Sequence, residues 1–182
     1  KRKYRLPDDF LLYVGTVEER KNLLNIVKAI HTGKIDMPLV VVGRKTGYYK
    51  KVKHYIESEK LSAIYFMDEI SVEDLPAMYQ LASVFIYPSV FEGFGIPILE
   101  ALYSKVPVIT TRGGCFSEVG GSSSVYVDPT DVEEISEAIG YIMGNKKLQN
   151  EMKEKGYLHA QKFSDKAAAH KLMNLYNQLI HA

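Results

Sequence analysis

Residues Val84–Leu102 read VFIYPSVFEGFGIPILEAL, and their order of residue types decides the fold class. Val84–Pro88 is β-branched, aromatic and continuously apolar, the pattern of a strand covered on both faces. Gly93 and Gly95 follow and permit positive φ, so the chain can turn sharply and a ligand can come close to the backbone. Pro97 suits the first position of a helix, where its missing N–H costs nothing. The helix is therefore expected to start at Gly95 or Ile96 and to run through Leu102. Strand, glycine turn and helix in succession form the front half of a βαβ unit.

The same alternation runs outward from this stretch. Phe10–Gly15, Pro38–Gly43, Ile64–Met67, Pro107–Thr110 and Val125–Val127 read as further buried strands. Leu23, Val27 and Ile30 keep helical spacing, and a second helix is expected over Tyr49–Lys60. Ser71 with Asp74, and Thr130 with Glu133, read as capping boxes opening the helices at LPAMYQLA and EEISEAIGYIM, the latter stopping near Gly144. Helices over Lys146–Phe163 and Asp165–Ile180 complete the chain. The pattern predicts an α/β fold: a doubly wound, Rossmann-like parallel β-sheet of about six strands with helices on both faces, in a single domain over residues 1–182. Ligands in such sheets bind outside the carboxyl ends of the strands.

Composition narrows the function classes. The 182 residues carry 23 Lys and Arg against 22 Asp and Glu, a net charge of +1. That balance offers no electrostatic case for nucleic acid or a strongly anionic membrane. Lys50, Lys51 and Lys53 read as a solvated helix face. The one cysteine, Cys115, cannot form an internal disulfide, which suits a reducing, cytoplasmic compartment. Apolar runs are too short to span a bilayer, and KRKYRLPDDF has no apolar core of a secretory leader. The start reads as a linker entering a strand, as though a preceding segment belonged before it. His31, His54, His159, His170 and His181 lack ligand spacing, so no metal site is expected.

The glycine turn lies where the fold places a ligand. Amides of Phe94, Gly95, Ile96 and Ile98 at the helix mouth, with the helix dipole, suit phosphate. Glu100, one turn deeper, repels phosphate but can accept hydrogen bonds from a vicinal diol such as a ribose. Glu92, before the turn, can reach another part of the same ligand. The layout fits a diphosphate with hydroxyl-rich groups at both ends, the shape of a nucleotide sugar; acidic residues favoured by the dipole alone would look similar. A second anion-binding element follows the first strand in GTVEERKNL, Gly15–Leu23. Arg20 and Lys21 stand at an expected helix start, where cations cost about 0.3 kcal/mol or more. Either they serve an anion or they pair with Glu18 and Glu19 on the surface. If the first and fourth strands are neighbours, both cations face the glycine turn.

LYVGTVEERKNL, VVVGRKTGYY, YFMDEISVEDLPAMYQLASVFIYPSVFEGFGIPILEAL, VPVITTRGG…SEVGG and VYVDPTDVEEISEAI, in this order, resemble the carboxyl-terminal half of retaining GT-B glycosyltransferases of the group 1 (GT4) class. The resemblance spans Phe10 to Tyr176. It implies a donor-binding domain for an NDP-sugar (GDP- or UDP-hexose), with no further cofactor required. It implies that Arg20 and Lys21 contact the donor diphosphate, that Glu92 lies near the donor sugar, and that Glu100 holds the ribose hydroxyls. Gly15 and Thr16 would border the site, and Gly93, Phe94, Gly95 and Ile96 would form the backbone cradle. The loop Glu69–Val72, including Ile70, would wall the nucleobase, with Gly43 and Arg44 on the same side of the cleft. Thr16 departs from the arginine that many relatives have there, leaving Arg20 to supply the guanidinium. The implied partner is an amino-terminal, acceptor-binding half, on which the stripe Leu172, Leu175, Tyr176 and Leu179 would pack. Relatives often build cell-surface polysaccharides at the cytoplasmic membrane face, so peripheral membrane association through that other half is implied.

The leading expectation is a hexosyl transfer from donor to acceptor hydroxyl in the full-length protein, with little or no transfer by this chain alone. Two rivals stand beside it: half of a GT-B sugar-nucleotide epimerase, and a non-catalytic α/β nucleotide-binding module. A receiver domain is disfavoured because Gly15 and Thr16, then Tyr87 and Pro88, occupy strand ends that would need acids. An oxidoreductase is disfavoured by the missing G-x-G-x-x-G.

Overall fold

The structure, a computed structural model, describes residues 1–68 and 70–180. Glu69 and His181, both named above, lie outside the described residues. Strands β1 (Leu11–Val14), β2 (Leu39–Val42), β3 (Ile64–Met67), β4 (Val84–Tyr87), β5 (Val108–Thr111) and β6 (Val125–Val127) pair in parallel in the order β3-β2-β1-β4-β5-β6. The helices are α1 (Leu23–Thr32), α2 (Tyr49–Ser58), α3 (Leu75–Leu81), α4 (Ile96–Tyr103), α5 (Gly114–Gly120), α6 (Val132–Met143), α7 (Lys146–Ala160) and α8 (Asp165–Ile180). Every residue of β1, β2, β4 and β5 is buried, which is why their apolar residues run on without alternation, interrupted only by Thr110 and Thr111 of β5. Helix α1 packs against α2 and α6, and α4 against α3, α5 and α7. With right-handed crossovers, these are the two layers that cover the sheet.

The doubly wound sheet matches the expectation. The chain winds outward from β1 to β3, then returns to place β4 on the other side of β1. The two loops leaving β1 and β4 therefore diverge over the same end of the sheet and open a crevice between them. Close backbone approach at this end requires glycine. A Cβ on Gly43 would lie 2.2 Å from the Gly15 carbonyl oxygen, so the loops after β1 and β2 touch only because Gly43 has no side chain.

Several local expectations change. The segment Gly114–Gly120 is a helix, α5, that the sequence pattern does not announce. It has seven residues, glycine at both ends and one apolar pair, Phe116 and Val119, to bury. Helix α6 is capped by Asp131, not Thr130: the Asp131 carboxylate accepts from the Glu133 and Glu134 amides, at 3.0 Å each. Thr130 donates instead to Asp128. At α3, Ser71 Oγ does accept the Asp74 amide, but the Asp74 carboxylate is held by Lys3, Tyr4 and Ser71 and its pKa is lowered to about 2. It ties the amino-terminal turn to α3. The helix expected over Lys146–Phe163 ends at Ala160 and tightens into a 3-10 turn over Gln161–Phe163.

Helix α8 packs chiefly on that turn. Its apolar stripe does not fold back onto the sheet: Leu172, Leu175, Tyr176 and Leu179 are 49–68% exposed. No helix among the described residues is long and apolar enough to cross a membrane.

Replacing Asp131 by Ala is expected to destabilise the chain by about 1 kcal/mol in urea unfolding. Thr130→Ala, which removes no helix cap, is expected to cost less.

Candidate functional site

Parallel pairing of β1 with β4 brings together two segments seventy residues apart in the chain. After β1, Glu19–Lys21 forms a 3-10 turn, and Asn22 adopts φ 62° before α1 begins at Leu23. Arg20 and Lys21 thus lie on the turn before the helix rather than at its start. The Asn25 side chain anchors this corner by donating to the Pro129 carbonyl at 3.0 Å. After β4, the Val90 amide donates to the Arg20 carbonyl at 2.7 Å, and Ser89 Oγ lies 3.0 Å from the same oxygen. The two loops are therefore joined backbone to backbone.

Glu92 stands at the junction. Its Oε1 accepts from Tyr87 at 2.8 Å and Ser89 at 3.1 Å. It pairs with Arg20 Nη1 at 2.8 Å and lies 4.0 Å from Lys21 Nζ. Burial pushes the carboxyl pKa up, but these donors and cations outweigh it and hold Glu92 below its ordinary 4.5. The expected surface pairing is realised only in part. Arg20 also holds Glu18 at 2.7 Å and donates to the Phe91 carbonyl at 2.9 Å. Glu19 turns to Lys51. Lys21 is 12% exposed and lies across Gly15, its Nζ 3.2 Å from the place of the absent Cβ. Its ammonium also faces the Tyr87 ring at 5.6 Å. Thr16 contributes its carbonyl to the hydroxyl of Tyr13 at 3.1 Å.

Beyond Glu92 the chain makes the glycine turn. Only Gly95 has the expected positive φ, 98°; Gly93 does without it and lies in open space. Helix α4 starts at Ile96, so Pro97 occupies its second position, still within the first turn. Among the described residues the amides of Phe94, Gly95 and Ile96 have no acceptor. The Ile98 amide, expected to be free, donates to the Gly95 carbonyl at 3.0 Å. The helix mouth thus presents three unpaired donors beside two cations. Phe94 is 40% exposed and packs edge-on against Phe163.

Glu100, one turn into α4, accepts a 2.8 Å hydrogen bond from Tyr79 on α3. It borders a cavity of about 370 Å³ between α3 and α4, with Val72, Leu75, Ile96 and Leu99 among its walls. Ile70 is half-buried against the core edge. Gly43 and Arg44 close β2 at the same end of the sheet, with the Arg44 carbonyl accepting the Val17 amide.

No site role for Tyr79, Tyr87, Ser89 or Cys115 is legible in the sequence. All four touch the two glutamates or their backbone; Cys115 Sγ donates to the Glu92 carbonyl at 3.2 Å. Tyr87 and Tyr79 sit in an apolar strand and helix, where a hydroxyl reads as packing, and Ser89 lies just beyond that strand. For Tyr87 and Ser89 the available signal was their i−5 and i−3 spacing before Glu92; Tyr79, twenty-one residues before Glu100, carried none. Among the described residues no group of three or more His, Cys, Asp or Glu could hold a metal ion.

The depressed Glu92 pKa has a direct consequence. The stability it contributes is fully present above about pH 4.5 and is lost as pH falls through the lower folded-state value. The stability gap between wild type and Glu92→Gln, measured by urea unfolding, is expected to be constant from pH 5 to 7 and to shrink below about pH 4.5.

Comparison with known proteins identifies the fold and the family. The family model described as "Glycosyl transferases group 1" matches residues 1–159. The O-antigen chain mannosyltransferase B of Escherichia coli is 31% identical over 183 residues, covering 97% of this chain and 48% of that protein. The chain spans half or less of the length of the first curated relatives it matches. Among solved structures, the C-terminal domain of the group 1 family protein LpcC from Francisella tularensis superposes with a TM-score of 0.78 at 22% identity, covering 89% of each chain. Alr3699/HepE from Anabaena, solved with UDP and glucose, superposes with a TM-score of 0.84 at 15% identity, covering 97% of this chain and 50% of that one. The sheet order is thus that of a GT-B carboxyl-terminal domain, and the chain belongs to the glycosyl transferases group 1 family.

Proposed function

We propose that this chain is the nucleotide-sugar donor-binding domain of a retaining glycosyltransferase of the GT4 class, which transfers a hexosyl group to an acceptor hydroxyl in polysaccharide biosynthesis. The observation that carries the reading is the convergence of Arg20, Lys21 and the unpaired amides of Phe94, Gly95 and Ile96 at one helix mouth, with a glutamate on either side. The name of the Escherichia coli relative supports a polysaccharide product. The UDP and glucose bound to the Anabaena neighbour support the ligand class. The rest of a longer protein would supply the acceptor-binding half. The exposed stripe on α8 suits that contact, since it finds no cover on this domain. Peripheral membrane contact would come through the other half. A cytoplasmic setting suits the single free thiol.

The diphosphate would lie across the helix mouth, its charge met by Arg20, Lys21 and the three amides. The ribose diol would reach Glu100. The nucleobase would enter the cavity between α3 and α4, beside Ile70 and Val72. Gly15 and Thr16 would border the phosphates, and Gly93 would leave room for the sugar. When the bond between sugar C1 and the phosphate oxygen breaks, its electron pair moves onto that oxygen. Fixed cations and amides lower the energy of the charge that develops there without reorganising. Arg20 is held by Glu92 in advance, so the guanidinium is in place before the donor arrives. Glu92 orients the sugar or stabilises positive charge at C1. No protein nucleophile is required. The transferase names of the relatives favour glycoside formation over epimerisation.

Titrating UDP, GDP and ADP into isotope-labelled chain is expected to shift the Phe94–Ile96 amides with at least one of the three. Unmoved amides at millimolar ligand would count against the reading. In the full-length enzyme, Arg20→Ala and Lys21→Ala are each expected to lower kcat by roughly a hundredfold or more, the loss of about 2.7–4 kcal/mol of charge stabilisation. Near-normal turnover in both would remove the mechanism.

A further inference from the structure

We propose that Tyr79 is a positioning residue for Glu100, and that through it the hydrophobic core sets the preference of this site for a ligand carrying a vicinal diol. The inference rests on the donor-site reading above, which already sets a ribose diol on Glu100, and adds to it the residue that positions that carboxylate. Tyr79 is 1% exposed, yet its hydroxyl reaches the edge of the cavity and donates to Glu100 Oε2 at 2.8 Å. The ring is fixed by an edge-on contact with Phe85, centroids 5.3 Å apart. Phe85 stacks in turn on Tyr87 at 5.8 Å. A glutamate has three rotatable side-chain bonds, and a half-exposed one samples many rotamers; a buried tyrosine has two, and here packing sets both. The phenol therefore transfers the precision of the core to a carboxylate at the surface of the cleft.

The bond also divides the carboxylate. Oε2 is committed to the phenol, whereas Oε1 has no protein partner among the described residues. Burial beside Glu100 raises the Tyr79 pKa well above its ordinary value, so the hydroxyl stays a donor at working pH. A fixed oxygen with open lone pairs can accept from two neighbouring hydroxyls of a ring. A lone hydroxyl, or none, would leave that acceptor unmatched, which is the basis of discrimination.

The test compares UDP, GDP and ADP with their 2′,3′-dideoxy counterparts by calorimetry on this chain. Wild type is expected to bind the ribonucleotide more tightly than its dideoxy partner. Tyr79→Phe, which removes one oxygen and leaves the ring, is expected to weaken the ribonucleotide by about five- to tenfold and to leave the dideoxy compound unchanged. In a Glu100→Ala background the same substitution is expected to have no further effect. Equal losses for both ligands, an undiminished loss in the Glu100→Ala background, or a Tyr79→Phe chain that fails to fold would each assign Tyr79 to stability alone and overturn the proposal. If wild type binds none of the nucleotides, the donor-site reading itself fails. If it binds them without preferring the ribose form, that reading stands and this inference falls.

Discussion

The hydrogen bond from the Val90 amide to the Arg20 carbonyl, together with the pairing of β1 and β4 beneath it, is the constraint on which the site depends. It joins the loop that carries two cations to the loop that carries the glycine turn. Ordering either loop alone would cost conformational entropy of about 1–2 kcal/mol per residue with no contact to offset it. Joined, each loop is the other's support, and the cations and carboxylates they carry fall within a few ångströms. The β1/β4 boundary is the reversal of a doubly wound sheet, so the crevice is a consequence of topology before any residue in it is chosen.

Within that crevice electrostatics and burial are balanced against one another. Lys21 is nearly buried, and a buried ammonium without an anion is costly. Glu92 supplies the counter-charge, and Arg20 shares it. The carboxylate in turn is kept ionised by Tyr87 and Ser89, whose hydroxyls satisfy the same oxygen. With Glu18 also on Arg20, two cations meet two carboxylates without ligand, while among the described residues the amides of Phe94, Gly95 and Ile96 stay unpaired. Such preorganisation is what makes electrostatic stabilisation effective, because little has to move when charge develops.

The same logic joins the core to the cleft. Tyr13, Phe85, Tyr87 and Tyr79 form a run of ring contacts through the sheet and onto α3. The hydroxyls of Tyr13, Tyr87 and Tyr79 emerge at Thr16, Glu92 and Glu100 respectively. Each tyrosine is buried by its ring and polar at its tip, which is the compromise this side chain permits. Substitutions that repack this run should therefore be felt at the cleft as well as in stability, since close-packed interiors transmit strain.

Sequence by itself determined the parallel sheet, six strands to within a residue at their ends, seven of eight helices, and the two loops that form the crevice. It did so because apolar runs, helical spacing and a glycine turn are local signals, each carried within ten to twenty residues. Helix α5 was illegible because its seven residues hold as many glycines as apolar anchors, and the Asp131 cap because two candidate caps stand side by side. Tertiary structure alone decided that Ser89 and Tyr87 converge on Glu92, that Tyr79 reaches Glu100 from another helix, and that the Ile98 amide is spent within its own turn. Those facts depend on which strand lies beside which and on the rotamers that packing selects, and no pattern along the chain encodes a distance between segments seventy residues apart.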